Sequence, residues 1–467
     1  MKQKYIKWAG LLMATMFLAT MIPANAVDNI KREIVSTDLD YEIIWDRLWG
    51  LEYKCQIDAV DLSIDSENNV FVIGKNDTNS IILKYDEDGN LLSEEIPDSY
   101  ESLRQLEAID LAPYMEGMQC PLEIDGYDMF VDVLFQGYEY EQEFVHHMEL
   151  NKETGELFIL GNFHWIEDEE WSSCVFVVKY EISGNSLVKQ WITVIGVESL
   201  TWCTTFTIDA ESNIYLPMTL PNILVKLSSD GQIEYVKSIG IGALYFMDDA
   251  VLNPSTGNII VNALDYKFLN PIDSKMKILE FETETGNMLD ETSILTPYPE
   301  DNTIRIGQAM TCSDNGDIFA SSLYYEQDCF KRKLVKLDEN LNIQFEKSIL
   351  YRITDMKVLD NHLITVGVLL TDVYENIYYG ATVLSVTNGN ELLLINLGPY
   401  IYTFDPFGIN TMRAVVIDNE GDLVATGCAG SHSDAFGLVS CIKTTKFCLT
   451  GAISFVQPVE SQYVVGY

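Results

Sequence analysis

Seven times along this chain a short apolar run leads into a polar turn and a second apolar run, then a loop, then a hairpin closed by a glycine-containing turn. The first copy reads AVDLSIDSENNVFVIG and then SIILKYDEDGNLLSEEI. The next three are MELNKETGELFILG with VFVVKYEISGNSLVKQW, FTIDAESNIYLP with ILVKLSSDGQIEYVKSIG, and AVLNPSTGNIIVNA with KILEFETETGNMLDE. The last three are MTCSDNGDIFAS with KLVKLDENLNIQFEKS, MKVLDNHLITVG with ATVLSVTNGNELLLIN, and VVIDNEGDLVATG with LVSCIK. Apolar and polar residues alternate within each run, and the Asp-Gly, Asn-Gly, Thr-Gly and Ser-Gly turns supply the positive φ that a tight hairpin needs. Helical spacing is absent.

A unit of four short antiparallel strands cannot bury its own faces, so seven of them must stack on one another, and the expected fold is an all-β, seven-bladed β-propeller. A pair of stacked sandwiches is the competing architecture. The turn residues Asp65, Asn151, Asp209, Asn253, Asp314, Asp360 and Asp418 are separated by 86, 58, 44, 61, 46 and 58 positions. The first gap is too long for one blade, which makes residues 98–145 an acidic and aromatic insertion: a cap over the disc, or an eighth blade. The run YEIIWDRLWG at Tyr41 to Gly50 resembles the outermost strands SLVKQWITVIG and GQIEYVKSIG, so the N-terminal strand is expected to pair beyond LVSCIK and lock the ring. The tail KFCLTGAISFVQP is the alternative source of that outer strand.

Residues 1–26 carry three lysines, the apolar run WAGLLMATMFLATMI and the small-residue site Ala24-Asn25-Ala26, the pattern of a secretory signal peptide cleaved after Ala26. Residues 27–467 then form a single domain, secreted or at the cell surface. Its formal charge becomes (29 − 3) − 71 = −45, which excludes binding to a phosphate backbone as its mode of partnership. No later run approaches the roughly 20 apolar residues of a membrane span. Nine cysteines with no C-x-x-C are too sparse for a disulfide scaffold and fit no zinc spacing; small buried hydrophobes, with one or two bridges, are expected. A monomer with a glycan or protein partner is the expected state.

With these blades the chain resembles the secreted bacterial and archaeal seven-bladed β-propeller repeat proteins, in which a blade reads strand, D-x-x-G-N, strand ending in Gly, strand, D-x-x-G-N, and an outer strand with Trp. DSENNVFVIG with LKYDEDGNLL, and DNEGDLVATG, carry the likeness, which spans about Tyr41 to Phe455 outside the insertion. It implies architecture and leaves activity open, since such scaffolds host binders, lyases and hydrolases. The turns depart from it at Asn253-Pro254 and at Asp360-Asn361-His362. No G-x-S-x-G, H-E-x-x-H or G-x-G-x-x-G is present. Asp86-x-Asp88-x-Asn90 begins like a calcium loop, but Leu91 and Pro97 stand where Gly and Glu are required, so it reads as a hairpin turn.

In a propeller the turns between strands one and two and between three and four share one face. Here those are short, whereas GNFHWIEDEEWSS, NALDYKFLNPIDSK, SSLYYEQDCFKR, VLLTDVYENIYYG and GCAGSHSDAF gather long loops on the other, with the aromatics Trp165, Trp171, Tyr324 and Tyr325. Five places before the turn residue stand Val60, His146, Thr204, Asp248, Ala309, Asp355 and Arg413. Four before it stand Asp61, His147, Thr205, Asp249, Met310, Met356 and Ala414, while one before it the residues are almost all aliphatic. The inner strands therefore start polar, and His146, His147, Asp248, Asp249, Asp355 and Arg413, with Arg305 and Arg352 in the connectors, are expected to rim a funnel on the long-loop face. Ion pairing within a solvated channel would account for them. Three functions would as well. Asp61, Asp248 and Asp355, with Asp249 and the two histidines, could hold calcium or another divalent cation. His146 or His147 could act as base on an anionic glycan held by Arg305, Arg352 and Arg413. The loop aromatics could dock a glycan or protein. The expectation is an exported binding or interaction module recognising a glycan, cation or protein on the long-loop face, with a hydrolase or lyase acting on an extracellular anionic glycan as the alternative.

Overall fold

A computed structural model describes residues 40–50, 57–75, 80–96, 103, 105–115, 142–167, 170–196, 201–219, 221–239, 244–266, 275–295, 309–326, 329–349, 352–370, 377–396, 411–433 and 437–450. They form seven blades of four antiparallel strands with almost no helix, six of them ordered innermost to outermost along the chain and the seventh taking its outermost strand from the N-terminal segment. The protein is a seven-bladed β-propeller. The innermost strands are Asp58–Ile64, Gln142–Asn151, Thr207–Ile208, Leu244–Leu252, Met310–Cys312, Arg352–Leu359 and Thr411–Ile417, in blades 1 to 7. No described helix is long and apolar enough to cross a membrane.

The ring closes as the likeness of its outer strands requires. Asp40–Trp49 pairs antiparallel with Gly437–Thr450 and becomes the outermost strand of blade 7. LVSCIK and KFCLT, read above as separate runs, are one 14-residue strand, which leaves the outer position to the N-terminal segment. The last four residues of the 98–145 segment belong to the inner strand of blade 2, which starts at Gln142. Within that segment, Ile109–Asp110 adds a parallel strand beyond the outer edge of blade 2, and Leu111 is buried against Phe158 and Ile195. This described part lies on the rim of the disc and forms no blade of its own.

The repeated residues are explained by contacts between blades. Second strands such as Val70–Lys75 and Ile214–Met218 are apolar almost throughout because both of their faces pack on neighbouring sheets. On the rim, an aromatic of each of four outer strands covers the turn glycine of the next blade: Trp45 on Gly89, Trp191 on Gly231, Tyr235 on Gly286 and Phe345 on Gly389. These glycines have positive φ, and a Cβ on any of them would lie within 3.0 Å of the ring. The indole N–H of Trp45 donates to Glu87 O at 2.9 Å and that of Trp191 to Ser229 O at 3.1 Å. Buried lysines make the same step: Lys84 lies over Phe71 and donates to Gly184 O in blade 2, and Lys179 lies over Phe158 and donates to Ser229 O in blade 3. Asp86 closes its hairpin by accepting from the backbone and side-chain amides of Asn90, as a turn does and a calcium loop would not. Cys174, Cys203, Cys312, Cys428, Cys441 and Cys448 are all free thiols.

Candidate functional site

Five innermost strands carry the same irregularity at the same level, where one extra residue is inserted between paired neighbours: between Ala59 and Asp61, Val145 and His147, Met247 and Asp249, Ile353 and Asp355, and Met412 and Ala414. The inserted residues are Val60, His146, Asp248, Thr354 and Arg413. A bulge of this kind bends the strand and turns an additional residue toward the same side, so each of these five blades offers two neighbouring positions to the axis. The register also corrects the sequence alignment in two blades. Blade 5 opens its turn at Ser313, whose N–H bonds Asp317 O, and blade 6 uses a two-residue turn flanked by the pair Leu359 and His362. Asp355 therefore lies level with Asp61, His147 and Asp249, one layer below Arg413 and His146, and Ala309 takes the place assigned to Met310.

The three described aspartates of this layer are latches between blades. Oδ2 of Asp61 accepts from Met148 N at 2.8 Å, that of Asp249 from Met310 N at 2.7 Å, and that of Asp355 from Val415 N at 2.8 Å. Each Oδ1 accepts from the following residue of its own strand, Leu62, Ala250 or Met356. With both oxygens committed to backbone N–H groups, Asp61 and Asp355 have a structural task that the cation reading did not anticipate. His147 Nδ1 lies 2.7 Å from Asp61 Oδ2, and its ring packs edge-on against Phe206.

A channel of about 450 Å³ runs through these layers, lined by His146, Thr204, Thr354 and Arg413, then by Asp61, His147, Asp249 and Asp355, then by Glu149, Thr311 and Lys357. Toward the tight-turn face it meets a smaller pocket of about 280 Å³ that Glu149, Lys152, Cys312 and Lys357 share. Burial works against protonation of His147, but the Asp61 carboxylate outweighs it and holds the pKa at about 9. Burial, helped by the nearby Lys75 charge, takes His146 down to about 3. Burial raises Glu149 to about 7 and Asp249 to about 6, the latter despite His147. Lys357 is held protonated chiefly by Asp355.

At the upper layer, Lys75 at the end of strand Val70–Lys75 stands in the field of Arg413. Burial lowers its pKa, Asp58 opposes this, and Arg413 lowers it further. The Nε of Arg413 is shut off from solvent and has no acceptor among the described residues.

Of the expected site residues, the structure thus brings His146, His147, Asp249, Asp355, Asp61 and Arg413 to one channel. Arg305 lies outside the described residues. Asp248 and Arg352 are placed only by their strands, Leu244–Leu252 and Arg352–Leu359. Trp165, Trp171, Tyr324 and Tyr325 stand on strands Glu156–Glu167, Glu170–Ser183 and Ile318–Glu326, so stretches expected to be loops are extended hairpins. Lys75, Glu149 and Lys357 were missed. Glu149 stands two residues before its turn, a position that the same alignment could have exposed; Lys357 reaches that position only in the corrected register of blade 6, and Lys75 is on a second strand, outside any inner-strand comparison.

The chain matches no protein-family model and no curated protein sequence. Among solved structures it is similar to virginiamycin B lyase from Staphylococcus aureus, at 10% identity and TM-score 0.45 over 88% of this chain and 100% of that one. It is also similar to polysaccharide lyase Uly1, at 9% and 0.46 over 83% and 89%. A protein of unknown function from Bacteroides caccae, at 12% and 0.36, covers 54% of this chain and 78% of its own. Likenesses this distant say nothing of substrate.

Proposed function

We propose that this protein is an exported binding module that takes an anionic group of its ligand, such as the carboxylate of an acidic glycan, at the long-loop mouth of the channel. The observation that carries this reading is the Arg413 side chain, which lines the channel with its Nε buried and lacking an acceptor among the described residues. In a chain of formal charge −42, a guanidinium N–H in a partly desolvated mouth is costly unless an anion completes it. The same geometry weighs against the hydrolase or lyase alternative. A general base works best with a pKa near the operating pH. His146, at about 3, is too weak an acceptor, while His147, at about 9, is already protonated and held by Asp61.

Calorimetry with uronic-acid oligosaccharides and with neutral oligosaccharides of equal length tests the proposal. The acidic series should bind to the parent and lose at least tenfold in affinity in Arg413→Ala. Equal binding of neutral and acidic sugars, or unchanged affinity in Arg413→Ala, would move recognition to the outer hairpins.

A further inference from the structure

We infer that the chamber below this mouth receives a primary ammonium group on Glu149, so that the ligand is a zwitterion. The inference rests on the reading that a ligand enters the channel by its anion-binding mouth. Four carboxylates, Asp61, Asp249, Asp355 and Glu149, face the lower channel with two cations, His147 and Lys357, and a third, Lys152, lines the pocket beneath in the field of Asp418 and Asp65. His147 answers Asp61 at 2.7 Å, and Lys357 lies 3.8 Å from Asp355. Asp249 is filled by hydrogen bonds from Ala250 N and Met310 N.

Glu149 is left over. It accepts from the Ile208 backbone, but its Oε2 is sealed from solvent, has no hydrogen-bond partner, and belongs to a side chain that lines both the channel and the pocket beneath it. A buried carboxylate oxygen without a donor, where four carboxylates outnumber three cations, calls for a donor that also carries positive charge.

The geometry also selects which cation. Calcium takes about six to eight oxygens at roughly 2.3–2.6 Å, which must therefore converge on one point. Among the described residues the only group of three or more acidic, imidazole or thiol ligand atoms that lie within 4.8 Å of one another is that of Asp418, Glu420 and Asp422, which do not line the channel, and Lys446 sits 2.7 Å from Asp418 there. An ammonium group bonds its acceptors one N–H at a time and tolerates their spread. Lys357 shows the chamber doing this, since Asp355, Asp249, Asp61 and Glu149 all favour its charged form. Arg413 and Glu149 stand about three residues apart in strand register, so the ligand's anion and ammonium should be separated by roughly 7–10 Å.

Thermal unfolding at pH 8 in methylammonium chloride and in tetramethylammonium chloride of equal ionic strength tests the ammonium site, because only methylammonium can donate hydrogen bonds. At about 0.5 M, methylammonium should raise the parent's Tm by about 2 °C over tetramethylammonium, and Glu149→Gln should abolish the difference. Identical melting of the parent in the two salts would overturn the inference, and that comparison needs no variant to fold. Binding of 6-aminohexanoate and hexanoate then separates the two proposals. The amino acid should bind the parent at least fivefold more tightly than hexanoate, with the advantage lost in Glu149→Gln. Equal affinity of the two for the parent overturns the ammonium site alone, whereas binding of both that survives Arg413→Ala overturns the anion site.

Discussion

His147 in blade 2 and Asp61 in blade 1 are joined at 2.7 Å across the seam between their inner strands, through an oxygen that also accepts the Met148 backbone N–H. The pair makes stability depend on pH. A histidine whose pKa is raised on folding, here to about 9, stabilises fully below its unfolded value of about 6.5, and the contribution is lost as pH rises through 9. With a discount for its partial exposure, the loss is on the order of 2 kcal/mol. Chemical denaturation from pH 6 to 10 should show this decline in the parent and a flatter profile in His147→Gln. Parallel profiles would mean that the pair carries no net charge interaction.

Glu149 should act in a lower window. Its pKa is raised by burial to about 7, above the ordinary carboxylate value, so ionisation opposes folding, and stability falls as pH climbs from about 4.5 to 7. In buffers free of amines, Glu149→Gln should match the parent at pH 4 and exceed it at pH 8. A variant less stable than the parent at pH 8 would show that the charge is already compensated within the chain.

Asp355→Asn tests the latch. An amide cannot accept from both Met356 N and Val415 N, since one of its two heavy atoms is a donor. The variant should lose about 2–4 kcal/mol, as for a broken buried charge-assisted bond, while a ligand bound at Arg413 keeps its affinity. Weakened binding without destabilisation would instead make Asp355 a ligand group.

Gly89→Ala and Gly155→Ala separate packing from backbone strain, because both glycines have positive φ, +75° and +72°. A Cβ on Gly89 would meet Trp45 at 2.7 Å, whereas one on Gly155 would meet nothing within 4 Å. Gly155→Ala should cost about 1 kcal/mol, and Gly89→Ala about 2 kcal/mol more, since it pushes on the strand that closes the ring. Equal costs in thermal or urea melts would show that the Trp45 contact adds nothing to closure.

The blades were legible in advance because alternation and turn glycines are local: each hairpin is encoded within about ten residues of itself. Even the closing strand could be read from Trp45, since four of the outer strands place an aromatic over the next blade's turn glycine. The funnel was legible only in outline. A bulge adds one residue to a strand, and turn length varies between blades, so counting back from the turn misplaces Asp355 and Met310 by one position. Asp61, Asp249 and Asp355 read as possible ligands in one dimension, because a carboxylate looks the same whether it faces a cation or the N–H of the next blade.

The four-stranded repeat and the polarity of the inner strands were thus determined by the sequence itself, through patterns that repeat at short range, while the choice between seven and eight blades, and between the two candidate closing strands, was settled by strand pairing in the folded ring. Which charges meet was decided by the tertiary structure. Lys75, His146 and Arg413 come from three blades and as many as 338 positions apart in the chain, and their proximity, like the burial that drives His146 and His147 to opposite protonation states, exists only once the ring has closed. Electrostatic energy depends on separation and desolvation in space, and neither quantity is written in the spacing of residues along a strand.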